Sequence, residues 1–130
     1  MAERPLSPHI TVYRWAYTMT LSILHRITGV ALALALLGLV AWLVSAGLGA
    51  DAYAALLPLL TSVPGKLLAA LAVAALIYHF CNGLRHLAWD LGWGFERADA
   101  RRSAVLVVTV TLIGAAICFY LIFGRSAGAA

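Results

Sequence analysis

A histidine within an apolar run is the residue of this sequence best suited to chemistry. His79 lies in the uncharged stretch 67–84, six residues before Arg85. If this run crosses a membrane, an ionisable side chain there is costly and indicates a function. The residues leave three roles open for His79. These roles are a packed side chain that is hydrogen-bonded to a neighbouring helix, a proton relay, and a metal ligand. The last role is open because imidazole binds iron well.

Helical spacing puts further groups in line with His79. Gly83 follows four residues later on the same face of a helix. Because glycine has no side chain, we expect a flat surface beside the imidazole, such as a planar macrocycle needs. His86 follows at seven residues, and Asp90 continues the line after one more turn. The stripe therefore runs from the middle of the apolar run to its polar edge.

A second polar cluster, Ser22, His25 and Arg26, opens the first long apolar run. Ser22 and Arg26 are four residues apart and share a helix face. A hydroxyl donor and a fixed cation on one face suit a carbonyl or a carboxylate ligand. In an antiparallel pair of spans, this cluster reaches the same membrane edge as Arg85 and His86. For those two residues, ordinary anchoring at the interface is the alternative interpretation.

A haem would fit both clusters. Its iron would lie at the depth of His79, and its propionates would meet arginine and histidine donors at the membrane edge. His25 is expected to lie near the boundary, too shallow to face His79 across one iron. A second axial ligand is therefore expected from a partner membrane chain.

The composition excludes most soluble functions. The chain has 130 residues, of which 64% are hydrophobic and 11% are charged, and the mean hydropathy is +0.96. A chain this small and apolar cannot cover its own surface in water, which excludes a soluble enzyme or a disordered tail. The net charge of +4 comes from basic residues at the ends of apolar runs. This pattern favours contact with membrane lipid and not with nucleic acid.

Charged residues divide the chain into three long uncharged runs, 27–50, 67–84 and 103–124. As helices they would reach about 36, 27 and 33 Å, against a hydrocarbon core of about 30 Å. We therefore predict an all-α membrane protein, a single transmembrane domain over residues 1–130. Its three transmembrane helices are expected at about 21–49, 64–90 and 103–124.

The distribution of Lys and Arg predicts the orientation. Seven of the nine basic residues fall before the first span or between the second and third spans. This puts the N-terminal segment 1–20 in the cytoplasm and the C-terminus in the periplasm. Residues 52–65, with Pro58 and Pro64, are expected to form a loop at the outer surface. The polar N-terminus is unlike a signal peptide and favours direct insertion into the bacterial cytoplasmic membrane.

Two segments match a known family. The first is Arg-Pro-Leu-Ser-Pro-His-Ile-Thr-Val-Tyr-Arg at 4–14, followed by Ser-Ile-Leu-His-Arg-Ile-Thr-Gly at 22–29. The second is His-Phe-Cys-Asn-Gly-Leu-Arg-His-Leu-Ala-Trp-Asp-Leu-Gly at 79–92. With these segments the chain resembles the cytochrome b membrane-anchor subunits of succinate dehydrogenase, respiratory complex II. The resemblance covers essentially the whole chain.

The resemblance implies an electron-transfer subunit with no catalytic residue for succinate and no activity as an isolated chain. It implies one haem b shared with a second small anchor subunit, and docking of an iron–sulfur subunit and a flavoprotein subunit. By position, His79 resembles the axial haem ligand, and Ser22 and Arg26 resemble the ubiquinone-binding residues. His25 and Arg26 resemble the groups near the haem propionates. The resemblance assigns no fixed role to Arg85, His86 or Asp90.

Three alternatives stay open at this point. One is a fumarate reductase anchor, which would run the reaction in reverse; some anchors of this kind lack haem, so His79 discriminates between them. Another is a small transporter or channel subunit with His79 as proton relay. The last is a structural anchor that binds neither haem nor quinone.

Overall fold

The structure, a computed structural model, describes residues 15–124, and within this range every regular element is helical. The predicted all-α class is confirmed. The first signature segment, 4–14, lies outside the described residues. The elements are α1 (Tyr17–Leu48), α2 (Ala50–Thr61), α3 (Val63–Asp90), α4 (Arg97–Phe119) and a short π-helical turn (Tyr120–Gly124).

Three of the helices are long and apolar enough to cross a membrane: Tyr17–Leu48, Val63–Asp90 and Arg97–Gly124. The prediction of three transmembrane helices is confirmed. The first helix begins before the predicted position 21, and the third begins before position 103. Both gain residues at their N-terminal ends, polar in α1 and largely charged in α4, because a helix can continue beyond the hydrocarbon core. At 32 residues, α1 is about 48 Å long and extends beyond the bilayer core.

The predicted loop at 52–65 is wrong, because most of it is the helix α2. Its sequence is rich in Ala and Leu, whose helix propensity outweighs the single interruption at Pro58. Pro64 lies in the first turn of α3, where the missing N–H has no intrahelical partner to lose. The hydroxyl oxygen of Ser62 caps that turn by accepting a hydrogen bond from the Gly65 N–H at 3.1 Å. The prolines therefore mark the boundary between two helices.

The central helix of the bundle is α3, which packs against α1 on one flank and against α4 on another. The α3–α4 contact is close, since a Cβ atom on Gly114 would lie 2.7 Å from Cδ1 of Ile77. At the α1 contact, the Tyr78 hydroxyl donates a hydrogen bond of 2.7 Å to the Leu21 carbonyl oxygen. Most large apolar side chains are exposed, as lipid-facing helices require.

A buried arginine joins α3 to α4. Only 6% of Arg85 is exposed. Its guanidinium donates hydrogen bonds of 3.0 Å to the Ser103 hydroxyl and to the Ala100 carbonyl oxygen, and one of 3.4 Å to the Asn82 side-chain oxygen. It also lies 4.1 Å from the centre of the Trp89 ring. A charge removed from solvent is stabilised only when it is paired in this way, so Arg85 serves to fix the start of α4 against α3.

Candidate functional site

The candidate site is a pair of stacked imidazoles where α1 crosses α3. The ring centroids of His25 and His79 lie 3.9 Å apart, and the ring planes differ by 11°. The expectation that His25 is too shallow to reach the level of His79 is therefore wrong. The physical reason is the register between the two helices, which packs α1 closely on α3 at Gly29 and so brings His25 level with His79.

Gly29 provides the space for the His79 ring. A Cβ atom on Gly29 would lie 3.0 Å from Cε1 of His79, closer than an unstrained contact allows. Gly83, which was expected to leave room beside His79, lies next to the other histidine instead: its Cβ would be 3.8 Å from Cε1 of His25. Gly29 is not among the site residues predicted from the sequence. Its spacing of four residues from His25 was the available signal.

Hydrogen-bond acceptors on α1 fix the tautomer of His79. Its Nδ1 lies 3.1 Å from the His25 carbonyl oxygen and 3.2 Å from Oγ1 of Thr28. A carbonyl oxygen only accepts, so Nδ1 must carry the proton and donate it. The Thr28 hydroxyl donates its own hydrogen to the carbonyls of Leu24 and His25, which leaves its oxygen as an acceptor. In the neutral ring, Nε2 then holds the free lone pair.

This arrangement suits a metal ligand. A metal-bound histidine commonly donates its other ring N–H to a carbonyl or carboxylate, which fixes the ring and raises its basicity. Thr28 is a site residue that the sequence does not predict, because its contact with His79 depends on the register between two helices. Within residues 15–124, no group of three or more His, Cys, Asp or Glu side chains is arranged to hold a metal ion. Because Nδ1 of His79 is engaged by α1, its Nε2 is the nitrogen that could form a single bond to a cofactor metal.

His86 extends the pair into a row of three rings. Its ring centroid is 5.1 Å from that of His25, and its edge packs on Trp89 at 5.2 Å. The ring of His25, on α1, therefore contacts both histidines of the predicted stripe on α3, His79 and His86. The Nδ1 atom of His25 is buried and has no hydrogen-bond partner among the described residues. A buried polar atom without a partner is costly, so this atom is suited to receive a ligand.

Ser22 and Arg26 lie on α1 beside this row. Ser22 is half-buried and Arg26 is exposed. Neither side chain forms a hydrogen bond or ion pair with another residue of the described range. Because they are one turn apart, they present a hydroxyl and a guanidinium together, and both are available to a ligand or a partner chain.

Arg85 and Asp90 do not join the cluster. Six residues separate Arg85 from His79, which turns the two side chains to different sides of α3, and the guanidinium contacts α4. Asp90 is exposed at the last residue of α3 and forms no hydrogen bond or ion pair within the described residues. The single polar zone expected at the membrane edge is thus divided between two faces.

The comparisons with known proteins agree on one family. The family model described as "Succinate dehydrogenase/Fumarate reductase transmembrane subunit" matches residues 1–118. The succinate dehydrogenase cytochrome b556 subunit of Rickettsia typhi is 43% identical over 111 residues, which cover 85% of this chain and 86% of the relative. The mitochondrial cytochrome b560 subunits of Sus scrofa and Homo sapiens are each 40% identical over 116 residues, which cover 86% of this chain and 68% of each relative. The chain therefore belongs to the succinate dehydrogenase/fumarate reductase transmembrane subunit family, as a multi-pass membrane-anchor subunit of complex II in the bacterial inner membrane.

Proposed function

We propose that this chain holds one haem b through Nε2 of His79. The observation that carries the proposal is the hydrogen bond from His79 Nδ1 to the His25 carbonyl oxygen, at 3.1 Å, which leaves Nε2 unprotonated. Gly29 leaves room for the ring at the helix crossing. The relatives are named cytochrome b556 and b560 subunits, which agrees with a b-type haem.

The second axial ligand is proposed to come from a second small anchor subunit. If two histidines of this chain were to hold the haem, its macrocycle would need space between their rings. The rings of His25 and His79 are instead stacked face to face at 3.9 Å, with no room for a porphyrin between them. His25 is thus better suited to a propionate, which its unpartnered Nδ1 and the nearby Arg26 would bind.

Ser22 and Arg26 are the residues proposed to bind ubiquinone. A quinone is largely apolar and has two carbonyl oxygens, so it needs an apolar cleft with a few polar groups. The Ser22 hydroxyl would donate a hydrogen bond to one carbonyl oxygen. The Arg26 guanidinium would stabilise negative charge as the quinone takes up electrons in a low-dielectric site.

The assembled complex is proposed to oxidise succinate on a flavoprotein subunit and to pass electrons through an iron–sulfur subunit to ubiquinone. Haem b, when bound, supplies a one-electron store beside the quinone. This chain contributes to the membrane half: it orients the quinone, excludes water with apolar helices, and receives protons from the cytoplasmic edge. Oxidation of succinate itself takes place outside this chain.

A fumarate reductase anchor is the second candidate, because the family description covers both enzymes. The transmembrane helices and the site would serve either direction of electron flow. The ratio of succinate oxidation to fumarate reduction in the purified complex decides between them.

The proposed function is tested by gentle detergent purification through a tag on this chain. We expect a b-type signal in the reduced-minus-oxidised spectrum, three co-purifying subunits, and succinate:quinone reductase activity. A colourless complex that still reduces quinone would refute the haem proposal. A coloured complex without quinone reductase activity would refute the quinone proposal.

A further inference from the structure

A groove separate from the histidine cluster lies between the beginnings of α1 and α4. Its volume is about 570 Å³, within the range of sites that hold small molecules. It opens on the flank of α1 that faces α4, whereas Ser22 and Arg26 lie on another flank. Residues of the two helices line it: Tyr17, Thr20 and Leu21 from α1, and Arg101, Val105 and Val108 from α4.

The groove is charged and polar at one end and mostly apolar along the rest of its length. Arg101 and the hydroxyl groups of Tyr17 and Thr20 lie at the end where both helices begin. The apolar side chains of Val105 and Val108 follow one and two turns further along α4. The last lining residue of α4 is Thr109, about 12 Å along the helix from Arg101, which adds one hydroxyl at the far end of the apolar stretch. A ligand with an anionic end and a largely hydrocarbon body therefore suits the groove.

The cation at the groove mouth is not neutralised within residues 15–124. Arg101 is exposed and forms no ion pair with a described residue, and Arg97 lies one turn earlier on the same helix face. Arg102, in contrast, points to another face and lies 3.4 Å from Asp99. The mouth of the groove is therefore positively charged at the membrane edge, where anionic lipid headgroups are found.

The Thr20 hydroxyl group at the mouth can also donate a hydrogen bond to a ligand. The Trp15 Nε1–H donates a hydrogen bond of 2.6 Å to Oγ1 of Thr20. Because that oxygen already accepts a bond, and its own hydrogen has no acceptor among the described residues, the Thr20 O–H can be donated to a phosphate oxygen.

We propose that this groove binds an anionic phospholipid, with its phosphate on Arg101 and Thr20 and an acyl chain along Leu21, Val105 and Val108. Such a lipid would fill the space between α1 and α4 and hold α4 beside α1. The proposal requires only that the chain spans a membrane, so it stands or falls independently of haem or quinone binding at the other flank of α1.

The first experiment tests whether the positive charge at the groove mouth binds lipid. The purified complex is stripped of lipid in detergent and titrated with phosphatidylglycerol, and native mass spectrometry counts the bound lipid molecules. We expect Arg101→Gln to weaken phosphatidylglycerol binding about five-fold, as one lipid-facing cation near a membrane surface predicts. Arg102→Gln, with the same change of charge one residue away, should bind as the wild type. Equal binding by the two variants, or equal retention of phosphatidylcholine and phosphatidylglycerol by the wild type, would overturn the proposal.

The shape of the groove is tested by filling it. Val105 and Leu106 are similarly exposed, 59% and 63%, but only Val105 lines the groove. We expect Val105→Trp to lose a phosphatidylglycerol molecule that Leu106→Trp retains, with all charges unchanged. If Val105→Trp keeps its lipid and loses a co-purifying subunit instead, the groove is a protein interface and the lipid proposal is wrong.

Discussion

His79 contacts both the backbone and the ring of His25. Its Nδ1 is hydrogen-bonded to the His25 carbonyl oxygen at 3.1 Å, and the two ring centroids are 3.9 Å apart. The orientation of His79 thus depends on α1, through one backbone carbonyl, the Thr28 hydroxyl and the His25 ring. The position of the proposed haem ligand is therefore set by how closely α1 and α3 approach, and this approach depends on Gly29.

Gly29→Ala is expected to displace His79 and to lower haem occupancy. The added Cβ would lie 3.0 Å from Cε1 of His79, so the ring or the helix must shift. We expect about a ten-fold loss of haem affinity, the lower end of the effect when a ligand's supporting contacts are disturbed. Haem per complex, measured by pyridine haemochrome, checks this.

Gly38→Ala is the matched control, because nothing lies within 4 Å of a Cβ at Gly38. Both substitutions raise the helix propensity of α1 equally, by about 1 kcal/mol. Equal haem content in the two variants would show that the close approach at Gly29 has no bearing on the cofactor.

Ser22→Ala is expected to impair quinone reduction while succinate oxidation with an artificial acceptor is unchanged. Loss of one hydrogen bond of about 1 kcal/mol corresponds to about a five-fold rise in KM for ubiquinone. Steady-state assays with the two acceptors measure the difference. Ser45→Ala, a serine near the other end of α1 that donates to the Trp42 carbonyl, should leave both activities intact. A parallel loss of both activities in Ser22→Ala would indicate misassembly and contradict a quinone-site role.

Arg85→Met is expected to destabilise the complex without changing the haem spectrum of the folded fraction. The substitution removes the guanidinium hydrogen bonds to Ser103 and Ala100 and leaves the fully buried Asn82 side-chain oxygen without its donor, at a cost of roughly 3 kcal/mol. The thermal midpoint of the complex measures this. Arg102→Met, at an exposed pair of little energetic value, should leave the midpoint unchanged. An Arg85→Met complex with normal stability but altered haem absorption would place Arg85 at the cofactor instead.

The N-terminus of the chain is expected in the cytoplasm and the C-terminus in the periplasm, because seven of the nine basic residues fall on the N-terminal side of the membrane. Alkaline phosphatase fused to the C-terminus should be active, and a cytoplasmic reporter at the same position should be inactive. The opposite result would reverse the orientation and remove the cytoplasmic route for protons.

The spans and the principal histidine could be predicted from the sequence because each depends on one segment alone. Runs without charge long enough for the bilayer identified the three spans, and depth within such a run made His79 a candidate, whose role stays a prediction. The helix α2 was missed because Pro58 was interpreted as a breaker, although Ala and Leu around it favour helix.

Contacts between helices were harder to predict. The bond from His79 to Thr28 and the space left by Gly29 depend on the register of α1 against α3, which no local pattern specifies. The side of α3 on which Arg85 lies could be predicted from the sequence, because a spacing of six residues from His79 turns the two side chains to different sides of a helix. Its burial against α4 required the three-dimensional structure.

The most direct test of the account is the reduced-minus-oxidised spectrum of the assembled complex with His79→Leu, beside that with His86→Leu. Both substitutions remove an imidazole from the same row of rings, but only His79 has its Nδ1 held by a carbonyl and its Nε2 free for iron. The account predicts that His79→Leu abolishes or strongly disturbs the b-type signal and that His86→Leu retains it. An unchanged b-type spectrum in His79→Leu would contradict the account.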